Sequence, residues 1–136
     1  MSAVSLLLAL VDGREARLLP GEDLLRITLD GQAHALPRLP DAVLKAQLDQ
    51  HAAGTELSCS GWAIWEEDRR PPALICLADG TGLLHVARRL PRPDIRAMQR
   101  LDFDMTGFAA SCPVVGEGPA QLVFLGTGGG VCKPLG

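Results

Sequence analysis

Tyrosine and asparagine are absent from this chain of 136 residues, and lysine occurs only as Lys45 and Lys133. The basic residues are therefore nearly all arginine, and the net charge of -3 leaves no overall positive field to attract nucleic acid. No apolar run approaches the roughly 20 residues that a membrane-spanning helix needs. The composition thus argues against nucleic-acid binding and against membrane insertion.

We also expect no signal peptide in this sequence. Residues 1–11 are apolar, but they have neither the positively charged start nor the small-residue cleavage site of a signal peptide. We therefore expect a cytoplasmic protein. The cysteines are widely spaced and each sits in an apolar segment; they are Cys59, Cys76, Cys112 and Cys132. In a cytoplasmic protein such cysteines are expected to be free thiols in the core.

The length and the 47% apolar content predict a single domain, residues 1–136, with a core of its own. Residues 1–54 are predicted to form a strand meander and then a helix. Val4–Val11 is interpreted as a buried strand, with a hairpin turn at 12–13. Leu25–Leu29 alternates apolar and polar residues, which indicates a half-buried strand, and the Asp-Gly pair at 30–31 predicts a hairpin into residues 32–36.

The helix is predicted to begin at Asp41 and to end near Gly54. Asp41 can cap it and can pair with Lys45 one turn later. Leu44, Leu48 and His51 would then share one face.

Strands return in the second half of the chain. They are predicted at 57–65, 73–78, 82–87, 107–112 and 121–125, with a short helix at 94–101. Residues 74–77 are apolar on both faces, which is typical of a strand in the middle of a sandwich or beneath a helix. The glycine-rich tail from Gly126 is expected to fray. The predicted fold is all-β, an Ig-like antiparallel β-sandwich with one or two short helices.

Two motifs have the form of nucleotide sites. The glycines of 126–130 follow a strand, but Pro134 stops the helix that a phosphate loop requires, so we expect a turn. Asp102-Phe103-Asp104 matches the Asp-x-Asp form with which glycosyltransferases hold a divalent metal. A three-residue pattern arises easily by chance, so we expect a solvated turn.

Catalytic and metal-binding signatures are missing from the rest of the sequence. There is no Gly-x-Ser-x-Gly elbow, and the cysteines lack the close ligand spacing of structural zinc. His34, His51 and His85 lie far apart. We therefore predict no catalytic residue, no metal and no cofactor.

Arginine and tryptophan provide the candidate binding residues. Arginines cluster between residues 88 and 100, where their forks suit carboxylates or phosphates, although neighbouring aspartates can neutralise them. Trp62 and Trp65 have different strand parity, so one should face the core and the other the opposite surface of the sheet. A surface tryptophan can stack on a sugar ring. The binding candidates are Trp65, Arg88, Arg89, Arg92 and Arg96.

The second half of the chain resembles a known family. The residues that carry the likeness are Gly61-Trp62-Ala63, Pro72 to Asp79-Gly80, Arg92-Pro93-Asp94, Gly107-Phe108 and Pro134-Leu135. This pattern is similar to the small β-sandwich accessory domain appended to bacterial glycosyltransferases and related surface-polysaccharide enzymes. It covers Leu57 to Leu135 and leaves residues 1–54 unexplained.

The resemblance implies structural roles for several residues. Trp62 and Phe108 would fill the sandwich, and Arg92 with Asp94 would fix a crossover between sheets in one packed unit with them. Gly61 and Gly107 would allow close approach of neighbouring groups.

The sequence predicts a non-catalytic binding or interaction module, placed by the resemblance in bacterial polysaccharide or glycoconjugate assembly. Its expected partners are a glycosyltransferase, another protein or a glycan. One alternative is a small hydrolase or transferase fragment that uses Asp102, Asp104 and a histidine. Another is a structural subunit that assembles through an exposed strand edge, with self-association as one form of it.

Overall fold

The structure is a computed structural model that describes residues 2–135. Two α-helices and eleven β-strands form within this range, together with a single 3-10 turn at Asp41–Val43. The helices are α1 (Ala3–Val11) and α2 (Pro93–Gln99). The strands are β1 (Ala16–Pro20), β2 (Leu24–Leu29), β3 (Gln32–Pro37), β4 (Leu44–Ala53), β5 (Glu56–Trp65), β6 (Leu74–Ala78), β7 (Leu84–Val86), β8 (Arg88–Leu90), β9 (Gly107–Pro113), β10 (Gln121–Gly126) and β11 (Gly129–Pro134).

The strands form three antiparallel sheets. The amino-terminal sheet is the meander β1-β2-β3, the central sheet has the order β11-β10-β6-β7, and the third sheet has the order β4-β5-β9-β8. The predicted all-β antiparallel sandwich is thereby confirmed.

The central sheet is buried on both faces. Cys76 and Val123 belong to the core shared with α1 and the amino-terminal sheet. Ile75 and Phe124 belong to a second core, shared with the third sheet. In this core the rings of Phe108 and Phe124 meet edge to face, with their centroids 5.9 Å apart. The prediction that residues 74–77 are covered on both sides is therefore confirmed. A strand that is apolar on both faces needs a packing layer on each of them.

The outer face of the third sheet, which points away from the central sheet, carries a smaller cluster beneath α2. Trp62 and Ile64 of β5 pack there against Ile95 and Leu101. Trp62 is 3% exposed. The expectation that Trp62 fills the sandwich beside Phe108 is therefore wrong. Trp62 and Phe108 are both buried, but they lie on opposite faces of the sheet.

The amino-terminal run forms helix α1, so the predicted strand over Val4–Val11 is wrong. Ser2 caps the helix by accepting a hydrogen bond from the Ser5 N–H at 3.2 Å. Leu6 and Leu10 are buried one turn apart, whereas Leu8 between them is 60% exposed. Leucine and alanine are strong helix formers, and periodicity alone does not separate a short apolar helix from a buried strand.

The helix predicted from Asp41 to Gly54 is also wrong, because β4 occupies most of that segment. The register pairs Leu44 with Trp65 and continues to Ala53 opposite Leu57. Hairpin pairing with β5, the next strand along the chain, outweighs the helix propensity of these residues. A bulge between Leu48 and Gln50 interrupts the ladder.

The strand predicted at 82–87 corresponds to β7, and a crossover follows it. β7 belongs to the central sheet, β8 belongs to the third sheet, and buried Ala87 joins them. The crossover thus precedes Arg92 and does not lie at it.

The prediction that the tail frays from Gly126 is wrong for residues 126–135, which the structure describes. Residues 127–128 turn the chain into β11, and the first four residues of that strand, 129–132, are buried. The remaining strand predictions, and the helix near 94–101, match β2, β3, β5, β6, β9, β10 and α2 to within a few residues.

Candidate functional site

A hollow of about 840 Å³ lies on the outer face of the third sheet, beside the part covered by α2. We call it the β5–β9 hollow. It is lined by Asp49, Gln50, His51, Ala52, Ser58, Cys59, Ser60, Val86, Arg88, Ala109, Ala110 and Ser111.

The hollow exists because the outward side chains in this part of the sheet are short. Ser58 and Ser60 alternate with buried Cys59, so the two serines point outward. Ser111 lies opposite Ser58, and Ala109 lies opposite Ser60. Further along β5 the outward-facing residue is Trp62, and α2 packs against it. The hollow therefore lies where the outward side chains of β5 and β9 are serine and alanine, and these residues form its floor.

Asp49 marks the end of the hollow nearest α2. Arg92 donates from Nη1 to Oδ2 of Asp49 at 2.6 Å, and from Nε and Nη2 to the two carboxylate oxygens of Asp94 at 3.0 and 2.8 Å. The hydrogen bonds to Asp94 and then to Asp49 raise the pKa of Arg92. Arg92 thus holds the Asp49 carboxylate in place, and the group of one arginine and two aspartates keeps a net negative charge.

Arg88 brings a cation to the hollow. It sits opposite Ala109 and is exposed. No carboxylate of residues 2–135 lies within ion-pair distance of it. The hollow therefore combines hydroxyl and amide groups with one guanidinium that is available to an anionic or hydroxyl-rich ligand.

The other candidate arginines, which are Arg89, Arg92 and Arg96, do not line this hollow. Arg89 donates to the carbonyl oxygens of Pro72 and Met105 at 3.0 and 3.3 Å, and burial lowers its pKa. Arg96 pairs with Asp104 at 3.1 Å. Arg92 touches the hollow only through Asp49.

Trp65 lies on the other face of the sheet. It is half-buried and packs against the core between the central and third sheets, beside Gly126. The prediction that the tryptophans face opposite sides of β5 is confirmed. Neither indole belongs to the β5–β9 hollow.

A histidine–carboxylate pair lies elsewhere, in the β6–β7 hairpin. Buried Asp79 receives hydrogen bonds from the N–H and hydroxyl of Thr81, from the N–H of Leu83, and from His85 Nε2 at 3.0 Å. Burial raises the pKa of Asp79, but the bonds from His85, Thr81 and Leu83 outweigh it, so that the pKa is lowered. This carboxylate organises the turn.

Asp102 and Asp104 lie in the turn between α2 and β9. Asp104 is bonded to Arg96, and its carbonyl oxygen accepts from the N–H groups of Arg92 and Thr106. Within the described residues, no histidine bonds to Asp102 or Asp104, and no three His, Cys, Asp or Glu side chains cluster so as to hold a metal ion.

Sequence reasoning missed most of the floor, namely Ser58, Ser60, Ala109 and Ser111. Small residues at alternate positions of both strands are the only local signal. They come together through the register of β5 with β9, which a single sequence does not specify.

No protein-family model, curated protein or solved structure matches this chain. Across residues 2–135, no helix combines the length and the hydrophobicity that crossing a membrane requires.

Proposed function

We propose that the chain is a non-catalytic binding module and that the β5–β9 hollow is its ligand surface. The observation that carries the proposal is the unpaired Arg88 beside a floor of serine and alanine. Short side chains leave room for a ligand to lie flat on the sheet, and the guanidinium supplies a directional contact for a carboxylate or phosphate.

The ligand we propose is an acidic glycan. Serine hydroxyls and the Gln50 amide can exchange hydrogen bonds with sugar hydroxyls, while Arg88 binds an acidic group. The family resemblance of residues 57–135 supports a context of bacterial polysaccharide or glycoconjugate assembly, with a glycosyltransferase as partner. The buried free thiols are compatible with a cytoplasmic location.

The alternative of a hydrolase or transferase fragment has weaker support. The carboxylate of Asp104 is held by Arg96, and His85 is held by Asp79. Both side chains therefore stabilise turns through these contacts.

Calorimetric titration with acidic oligosaccharides, and with neutral ones of equal length, tests the proposal. We expect saturable binding of the acidic series only, weakened about tenfold or more by Arg88→Ala, since a charge-assisted hydrogen bond contributes roughly 1.5–3 kcal/mol. Arg100→Ala is the matched control, because Arg100 is an exposed arginine at the end of α2 and not in the hollow.

A second variant separates this site from the predicted tryptophan site. Trp65→Ala should lower stability and leave affinity unchanged, since Trp65 packs in the core. Absence of saturable binding, or equal losses in Arg88→Ala and Arg100→Ala, would contradict the proposal.

A further inference from the structure

Strand β4 forms one edge of the third sheet. Its ten residues pair with β5 on one side, and in the stretch from 2 to 135 no strand pairs with the other side. Most of β4 is exposed, including Leu48, whose exposed fraction is 38%. Such an edge is a template for another strand.

Main-chain groups at this edge point outward at alternate residues. Trp65 and Ala63 of β5 donate their N–H groups away from β4, to the carbonyl oxygens of Arg70 and Thr106 at 2.8 and 3.0 Å. Leu44 and Ala46, which lie opposite them, therefore occupy non-hydrogen-bonded sites with respect to β5. The N–H and C=O groups of Ala46 therefore face the free edge, and the alternation places those of Leu48 there too, whereas the N–H of Leu44 already donates to the carbonyl oxygen of Asp41.

The side chains of the same stretch have a symmetric pattern. Lys45, Gln47 and Asp49 lie on the outer face, where Asp49 meets Arg92. Ala46 and Leu48 lie on the inner face. Gln47 is the centre of the pattern. The apolar residues Ala46 and Leu48 flank it, and the charged residues Lys45 and Asp49 follow, one positive and one negative.

We propose that two copies of this chain pair antiparallel through β4, with Gln47 at the two-fold axis. In this register Lys45 lies opposite Asp49 of the partner subunit, twice by symmetry, and Ala46 lies opposite Leu48 of the partner subunit. The outward N–H and C=O groups of Ala46 and Leu48 then meet each other in hydrogen-bonded pairs. A second copy is an occupant that matches both the charges and the hydrogen-bonding parity.

Charge also favours this register over the registers centred on the adjacent residues. Centring the pair on Ala46 places Lys45 opposite Gln47, and centring it on Leu48 places Asp49 opposite Gln47. Either shift loses both ion pairs. A lysine and a bulge ordinarily protect an edge strand from unspecific pairing; here Lys45 and the bulge at Asp49 limit pairing to the segment 44–50.

The resulting dimer has a continuous third sheet that runs from β8 of one copy to β8 of the other. Because the two-fold axis is perpendicular to this sheet, both β5–β9 hollows open on the same side. This dimer goes beyond the proposed binding function and does not depend on it.

Sedimentation equilibrium of the full chain tests the pairing through charge reversal. Lys45→Glu places two acidic side chains opposite each other, and Asp49→Lys places two basic ones. We expect each variant alone to raise the dimer dissociation constant about tenfold or more. An equimolar mixture of the two restores both ion pairs, and so should dimerise as the native chain does. Lys133→Glu, an equal charge change on β11, is the control and should leave the constant unchanged.

A further variant guards against folding defects at the two charged positions, because Lys45 Nζ also donates to Gln99 Oε1 at 3.0 Å and Asp49 also bonds Arg92. Gln47→Glu sets like charges together at the axis without removing a bond seen within the subunit, and should weaken the dimer while circular dichroism stays native. Amide exchange at Ala46 and Leu48 should slow as protein concentration rises. A native chain that stays monomeric, a dimer indifferent to Gln47→Glu, or folded Lys45→Glu and Asp49→Lys chains that fail to associate when mixed would each overturn the proposal.

Discussion

Arg92 joins the start of α2 to the bulge of β4 through Asp49, with 2.6 Å between Nη1 and Oδ2. Its aliphatic stem crosses β9 at Gly107, where an added Cβ would lie 2.6 Å from Arg92 Cγ. Glycine is therefore required at position 107, as the sequence indicated. The same guanidinium binds Asp94, so one side chain ties a helix, an edge strand and the border of the hollow together.

Acid should weaken this link by protonating Asp94. Hydrogen bonds from Arg92 lower the pKa of Asp94 from 3.8 to about 2. A carboxylate with a depressed pKa in the folded state contributes stability that is present above its unfolded value and is lost as the pH falls through the folded value. The gap in free energy of unfolding between the native chain and Asp94→Asn should stay constant above about pH 5 and shrink between about pH 4 and 2. Urea unfolding over this range measures it; a gap that persists unchanged to the lowest pH would show that Arg92 does not hold Asp94 in solution.

Helix α1 can be distinguished from a strand by two leucine truncations. In a helix Leu6 and Leu8 face different ways, and they are 1% and 60% exposed. Leu6→Ala should lower the free energy of unfolding by roughly 2–5 kcal/mol, whereas Leu8→Ala should change it by about 0.5 kcal/mol or less. A strand would place both side chains on one face and give similar losses, so equal values in urea unfolding would contradict the helix.

The elements that could be predicted are those whose pattern of apolar and polar residues fits only one type of secondary structure. Leu25–Leu29 alternates, and only a half-buried strand buries Leu25 and Ile27 together while exposing Arg26. The run Val4–Val11 is apolar without alternation, so it fits either a strand or a helix. β4 is the opposite case. Few of its residues are buried, and its structure depends on hydrogen bonds to β5 that no local pattern reveals.

The β5–β9 hollow could not be predicted for a similar reason. The hollow exists because the side chains there are short, and its serine and alanine come from two strands whose paired residues Ser58 and Ser111 are 53 positions apart in the sequence. Arg88 was found because its charge is visible in the sequence. Its lack of a carboxylate partner depends on the fold, since the adjacent arginines differ from it only in what surrounds them.

The cysteines should be free and unreactive in the folded chain. All four are buried, and burial raises the pKa of Cys76 to about 12 and that of Cys59 to about 11. The thiolate, which is the reactive form, is therefore scarce near neutral pH. Mass spectrometry after alkylation without reductant should show four modified thiols in denaturant and almost none in the folded state. Fewer than four in denaturant would indicate a disulfide, and rapid labelling of the folded chain would indicate an exposed thiol.

Thr106 has a fully buried hydroxyl that finds no hydrogen-bond partner among residues 2–135. Its main chain is satisfied, because the N–H donates to the Asp104 carbonyl at 2.7 Å and the carbonyl accepts from Ala63 at 3.0 Å. An unpaired buried hydroxyl costs stability, so Thr106→Val, which replaces it by a methyl group, should raise the free energy of unfolding by on the order of 1 kcal/mol. Thr106→Ser is the matched control. It keeps the hydroxyl and deletes a buried methyl group, and should lower stability by about 1 kcal/mol. Urea unfolding of both variants decides between the two contributions, and a valine variant less stable than the native chain would mean that the hydroxyl is hydrogen-bonded in solution.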